Sequence, residues 1–226
     1  MQIDVLTVFP EMLRGFLELS MMKRAVQKGA ARFQLVDLRD FARDGRGTLD
    51  DRPYGGGPGM VMKPEPLFEA IGTVKTPAAR VILMSPGGKR FSQETAQELS
   101  KEEHLVFVCG HYEGIDERVV RAWVDTEISI GDYVLTNGAL PAAVVIDAVV
   151  RLLPGVLGGG EEATRMESFS DGLLEHSQYT RPPVYRGMAV PEVLQQGHHA
   201  AMESWRKREM LDRTIKRRPD LLSDKE

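Results

Sequence analysis

Three short β-branched runs alternate with helical stretches, and each ends in a polar turn bearing glycine. This feature constrains the chain most. The runs are residues 80–84 (RVILM), 105–109 (LVFVC) and 126–130 (TEISI). Their turns are Ser85-Pro86-Gly87-Gly88, Gly110-His111-Tyr112-Glu113-Gly114 and Gly131-Asp132-Tyr133. Helical periodicity surrounds them, around 64–71 and over 93–101, 116–124 and 140–153. Upstream, residues 2–9 (QIDVLTVF) read as a strand closed by Pro10, and residues 33–38 (FQLVDL) as another. Between them lie a helix carrying Met12, Leu13, Phe16 and Leu17 and a second from Met21 to Lys28, stopped by Gly29. Strands alternating with helices imply an α/β fold with a mostly parallel sheet covered on both faces. Its ligand site is expected outside the carboxyl ends of the strands, where the three turns gather.

Two stretches interrupt this pattern. Residues 39–60 (RDFARDGRGTLDDRPYGGGPGM) lack apolar periodicity, and so long a loop is usually functional or disordered. Residues 154–172 are glycine-rich and polar and read as a linker or mobile lid. From Leu173 the pattern is short and helical, with a helix at 191–196 ended by Gly197 and a longer one at 199–218 stopped by Pro219. The expected organisation is a main domain at 1–158, a linker or lid at 159–172 and a small all-α domain at 173–226.

Composition narrows the partners. With 226 residues and 42% hydrophobic content the chain can bury a substantial core. A formal charge of −4 excludes a uniformly basic nucleic-acid coat but permits one basic patch. The single Cys109 excludes an intramolecular disulfide framework and an all-cysteine zinc site, and it fits a reducing compartment. Met1 to Val5 lack the layout of a signal peptide, and no apolar run approaches the roughly 18 residues of a membrane span. A cytoplasmic protein with no membrane partner is expected.

The glycine-rich turns are not a P-loop, because no Gly-Lys-Ser/Thr follows the glycines of 55–59. Nor does a G-x-G-x-x-G follow the first strand, so the ordinary dinucleotide fingerprint is missing. The glycines of the three turns either make tight turns only, or let backbone groups approach a flat polar ligand such as adenine. Asp116 suits the N-cap of the helix after it, whereas Glu113 lies inside the turn and could hold a cationic group. Arg151 has two readings: an exposed i, i+4 pair with Asp147, or a planar donor fork aimed at a base edge. Glu161, Glu162, Glu167 and Asp171 are the acids of the lid, and any of them acting as a base would need bound substrate to order it. His198-His199 has no third ligand at metal spacing and reads as a helix entry, so no metal site is expected. Between Ser204 and Arg218 seven basic residues stand against Glu209 and Asp212. Arg206, Arg213 and Arg217 share one helix face there, an arrangement suited to a phosphate backbone.

Several motifs together resemble the bacterial tRNA (guanine-N1)-methyltransferase family. They are DDRPYGGGPGM at 50–60, CGHYEGIDERV at 109–119, SIGDYVLTNGALP at 129–141, RLLPGVLG at 151–158 and ESFSDGLLEHSQYTRP at 167–182. The resemblance extends from TVFPEM at 7–12 to the terminal WRKREMLDRTIKRRPDLL. It implies a SPOUT-type parallel sheet with a deep C-terminal trefoil knot, followed by a small helical domain. It also implies a homodimer that shares its active site between subunits and grips the tRNA anticodon arm. The methyl donor is S-adenosylmethionine, and Mg²⁺ is implied for the family although no dedicated carboxylate cluster is evident here. By residue match the donor contacts fall on Met84, Ser85, Pro86, Gly110, Tyr112, Glu113, Ile130, Gly131, Tyr133, Leu135, Gly138 and Pro141.

The implied substrate is the guanosine immediately 3′ of the anticodon, at tRNA position 37, next to a preceding guanosine. Guanine N1 must lose a proton to attack a sulfonium methyl; a carboxylate takes that proton while a cation steadies O6. By match these are Glu167 and Arg151. Glu167 stands where the family has aspartate, a departure of one methylene, and Asp171 is the fallback base. Asn137 replaces a glycine of the family's turn. Two other readings remain open at this point: a knotted methyltransferase acting on ribosomal RNA, and a non-enzymatic RNA-binding module.

Overall fold

The computed structural model describes residues 1–44, 47–158 and 167–223. The chain divides into two compact units, Met1–Gly160 and Glu161–Glu226.

In the first unit, strands β1 (Gln2–Thr7) and β2 (Arg32–Asp37) flank helices α1 (Glu11–Leu17) and α2 (Ser20–Gln27). A hairpin of β3 (Asp50–Asp51) and β4 (Val61–Met62) precedes helix α3 (Pro64–Val74). Then follow β5 (Ala79–Arg90), α4 (Gln93–Leu99), β6 (His104–Cys109), α5 (Glu117–Trp123), β7 (Thr126–Ser129) and α6 (Ala139–Val150). Five strands form one parallel sheet in the order β2-β1-β6-β5-β7. The α/β parallel sheet expected from the alternation is therefore present.

Period-2 alternation explains why the sheet is covered twice. In β6, Leu105, Phe107 and Cys109 enter a core with α1, α2, α4 and α6, while Val106 and Val108 enter another with α3 and α5. Every residue of β6 is buried, as a central parallel strand requires. At the amino ends of the strands, the buried Asp4 carboxylate meets His104 Nε2 at 2.8 Å, and His104 Nδ1 meets Thr76 Oγ1 at 2.8 Å.

β5 runs further than its apolar run suggests. Ile128 of β7 is paired in parallel with both Met84 and Lys89, and Ser129 with Arg90. A strand residue has one neighbour on each flank, so β5 lines both sides of β7, crossing over through Ser85–Gly88. The crossing is tight: a Cβ on Gly88 would fall 2.5 Å from the Ile128 nitrogen.

The aperiodic loop at 39–60 is also partly ordered. A 3-10 turn spans Leu38–Phe41, and the glycines of 55–59 cap the β3–β4 hairpin. The hairpin docks on a distant turn through backbone groups. Glu113 N–H donates to Met60 C=O (3.0 Å), Met62 N–H to Gly114 C=O (2.9 Å) and Asp116 N–H to Met62 C=O (3.0 Å). Such bonds leave no side-chain pattern to read.

The second unit corrects the all-α expectation. It contains a two-stranded hairpin, β8 (Val184–Tyr185) with β9 (Met188–Ala189), because Pro182-Pro183 cannot start a helix interior and Arg186-Gly187 turns the chain. The helix expected at 191–196 is one 3-10 turn, Glu192–Leu194. Helix α7 (His199–Arg217) is as long as expected, and α8 (Asp220–Ser223) follows Pro219. Trp205 of α7 packs edge-on against His176, with ring centroids 6.0 Å apart. Among the described residues no helix is long and apolar enough to cross a membrane.

Candidate active site

The carboxyl ends of β6, β5 and β7 lie side by side, and the turns leaving them enclose a cavity of about 420 Å³. That volume suits a small-molecule ligand. Met84, Ser85 and Pro86 line it from the end of β5, and Gly110, Tyr112 and Glu113 from the turn after β6. Ile130, Gly131, Tyr133, Leu135, Gly138 and Pro141 close it from the segment between β7 and α6. Every residue matched to the donor site is thus gathered in one place. His111, Glu117, Glu127, Ser129, Thr136 and Asn137 also line it, beyond the residues that the match supplies. The turn sequences contain them, but nothing in their spacing separates cavity wall from ordinary turn.

Close backbone approach builds the pocket. His111 and Asn137 form an antiparallel bridge, and Gly138 N–H donates to Gly110 C=O at 2.9 Å. A Cβ at Gly138 would stand 2.8 Å from Cys109 Cα, so only glycine lets these two segments meet. Asn137 accepts the Ala139 N–H on Oδ1 at 2.9 Å and so satisfies a first-turn donor of α6. Asp116 caps α5 as expected, accepting the Arg118 N–H at 2.9 Å.

The wall has a distinct charge. Glu113, Glu117 and Glu127 line the cavity and no lysine or arginine does. Glu117 is paired with Arg121 at 3.1 Å, while the Glu113 carboxylate packs where a Cβ on Gly59 would collide with it. This surface suits a cation and opposes a phosphate ester. His111 is buried between the rings of Phe9 and Tyr112, and burial pushes it below its ordinary imidazole value. Burial likewise drives the Cys109 thiol well up, so no thiolate nucleophile stands at the end of β6.

The residues matched to catalysis lie elsewhere. Arg151 follows the last turn of α6, its N–H bonded to Asp147 C=O at 3.2 Å. At 1.5 Å per residue it stands about 20 Å along the helix from Gly138, and it does not line the cavity. Glu167 belongs to the second unit, half-buried in a turn where its C=O accepts the Ser170 N–H at 3.2 Å. That turn is tied down: Phe169 N–H donates to Leu173 C=O (2.7 Å), Leu174 N–H to Thr214 Oγ1 (2.9 Å), and Arg218 lies 5.8 Å over the Phe169 ring. Glu161 and Glu162 lie outside the described residues. On α7, Arg217 is exposed but Arg206 and Arg213 are half-buried, and Arg213 donates to Ser177 Oγ at 2.8 Å. Two of the three arginines expected on one helix face are thus half-buried and the third is exposed. Among the described residues no group of three or more His, Cys, Asp or Glu side chains gathers that could hold a metal ion.

The family profile described as "tRNA (Guanine-1)-methyltransferase TrmD" matches residues 1–224, across both units. The chain belongs to this family. Relatives named tRNA (guanine-N(1)-)-methyltransferase agree closely with it. The protein of Anoxybacillus flavithermus is 57% identical over 98% of this chain and 91% of its own length. That of Bacillus subtilis is 54% identical over 99% and 93%, and that of Moorella thermoacetica 57% over 99% and 90%. Membership in an enzyme family sets aside the reading of a module that only binds RNA.

Proposed function

We propose that this chain transfers a methyl group from S-adenosylmethionine to N1 of the guanosine immediately 3′ of the anticodon in tRNA. The observation that carries this reading is the acidic, arginine-free cavity at the carboxyl ends of β5, β6 and β7, in a chain of this family. When bound, the donor supplies a methyl group on a cationic sulfonium, and a wall with Glu113 and Glu127 and no lysine or arginine fits that charge. The glycines at 110, 131 and 138 let backbone groups close on a flat ring, and Leu135 and Pro141 add apolar surface.

The remaining work falls to two side chains. Glu167 takes the N1 proton as guanine becomes the nucleophile, and Arg151 faces O6 with two parallel donors where negative charge develops. Arg151 is too far along α6 to serve the cavity of its own subunit, which favours a homodimer in which the partner copy supplies it. The exposed Phe9, Met12, Leu140 and Val144, on α1 and α6 and the loop before them, offer an apolar face for that second copy. The double pairing of Ile128 and the tight crossing at Gly88 support a knotted path between β5 and α6. The relatives' names favour tRNA over ribosomal RNA as substrate.

Kinetics of two variants test the base. Glu167→Ala is expected to lower methyl transfer at least about 10²-fold while leaving donor affinity within a factor of two. Loss of activity in Asp171→Ala with Glu167→Ala unimpaired overturns the assignment.

A further inference from the structure

The cavity lining holds no lysine or arginine, and on α7 Arg206 and Arg213 are half-buried while Arg208, Lys216 and Arg217 are exposed. Arg213 is held by Ser177, Lys207 pairs with Glu203 at 3.2 Å, and Arg218 pairs with Asp220 at 2.6 Å. The β8–β9 hairpin differs. Every residue from Arg181 to Ala189 is exposed, including Val184, Tyr185 and Met188, an unusual concentration of apolar surface facing water. From Ser177 to Pro191 the sequence has Arg181 and Arg186 and no acidic residue, within a chain of net charge −4. No ion pair engages either arginine among the described residues.

The turn itself has an unusual residue at its first position. Tyr185 pairs with Met188, leaving Arg186-Gly187 as a two-residue turn with φ of +52° and +77°. Asparagine is the favoured residue at the first of these positions, and arginine there takes a left-handed backbone conformation that L side chains disfavour. The arginine uses that conformation to lie across the tyrosine, its guanidinium carbon 5.4 Å from the ring centroid. One face of Tyr185 is thus covered by a positive planar group. An exposed aromatic ring covered on one face by a guanidinium, with a second arginine in the same exposed segment, is the combination that stacks bases and tracks a phosphate backbone.

We propose that the β8–β9 hairpin is a docking surface for unpaired bases of the substrate RNA, with a base stacked on Tyr185 and Arg181 and Arg186 on the adjoining phosphates. This rests on the tRNA reading above and extends it to the element that holds the loop. The hairpin, rather than the Arg206/Arg213 side of α7, makes the stacking contact.

The test titrates the full-length protein with a tRNA transcript, an isolated anticodon stem-loop and a blunt RNA duplex. Tyr185→Ala is expected to weaken stem-loop binding about tenfold or more and to abolish the preference over the duplex, while Tyr185→Phe keeps both. Arg186→Ala is expected to lower the slope of log affinity against log salt by about 0.7, the loss of one single-strand phosphate contact. Donor affinity is expected to stay unchanged, because the cavity lining includes no hairpin residue, and it reports on folding. Wild-type stem-loop affinity in both alanine variants overturns the proposal. So does conversion of a wild-type dimer to monomer by Tyr185→Ala, which makes the hairpin an interface between copies. If wild type methylates tRNA and the variants match it, only the hairpin assignment fails. If wild type neither binds nor methylates tRNA, the functional reading fails with it.

Discussion

The cavity of the first unit and the hairpin of the second are opposite surfaces in chemical terms. The cavity is concave, built by glycine contacts, lined by three glutamates and free of lysine and arginine. The hairpin is exposed throughout, and the stretch from Ser177 to Pro191 around it has Arg181 and Arg186 and no acidic residue. One suits a small cation and the other a polyanion. Segregating the two signs lets a chain of net negative charge bind both ligands.

Substitutions can break this contrast from either side. The largest effect is expected at the cavity, where Gly138→Ala drives a methyl group into the Cys109–Gly110 backbone. Donor affinity measured by calorimetry should fall about 10²-fold, with RNA binding by the hairpin retained. Next is His104→Ala, which removes the imidazole bonded to the buried Asp4 carboxylate and leaves it only the Gln2 side-chain amide. Urea unfolding should show a loss of about 3 kcal/mol. Because this pair sits at the amino ends of the strands, donor affinity should not change.

A smaller effect depends on pH. His111 has a lowered value in the folded protein, so above about pH 6.5 it is neutral in both states and contributes no slope. Below that pH the unfolded chain takes up the proton first, and stability falls as pH drops towards the folded-state value. Thermal unfolding between pH 7.5 and 5 should show this decline, and His111→Asn should flatten it. The smallest effect serves as the counterpart of Gly138. Gly15 in α1 has open space where a methyl group would stand and an ordinary φ, so Gly15→Ala should raise stability by about 0.5–1 kcal/mol and leave both ligands unaffected.

The parallel sheet and the gathering of its three turns were legible because period-2 burial and strand-end glycines leave local marks. Residue match, rather than periodicity, assembled the cavity wall. What escaped the sequence is held by backbone or long-range contacts. The β3–β4 hairpin docks by main-chain bonds to Gly114 and Asp116. The second pairing of β5 involves Lys89 and Arg90, which carry no strand pattern. The Arg206, Arg213 and Arg217 stripe is correct as helical spacing, but the spacing does not say which side the segment around Ser177 covers. The hairpin was hidden because two paired residues per strand are too few to show alternation.

The most direct measurement is methyl transfer from isotopically labelled S-adenosylmethionine to a tRNA transcript, followed by mapping of the modified nucleotide. The account predicts one labelled methyl group on N1 of the guanosine 3′ of the anticodon, and none when that guanosine is replaced by adenosine. A transcript left unlabelled, or labelled at another atom or nucleotide, would contradict it.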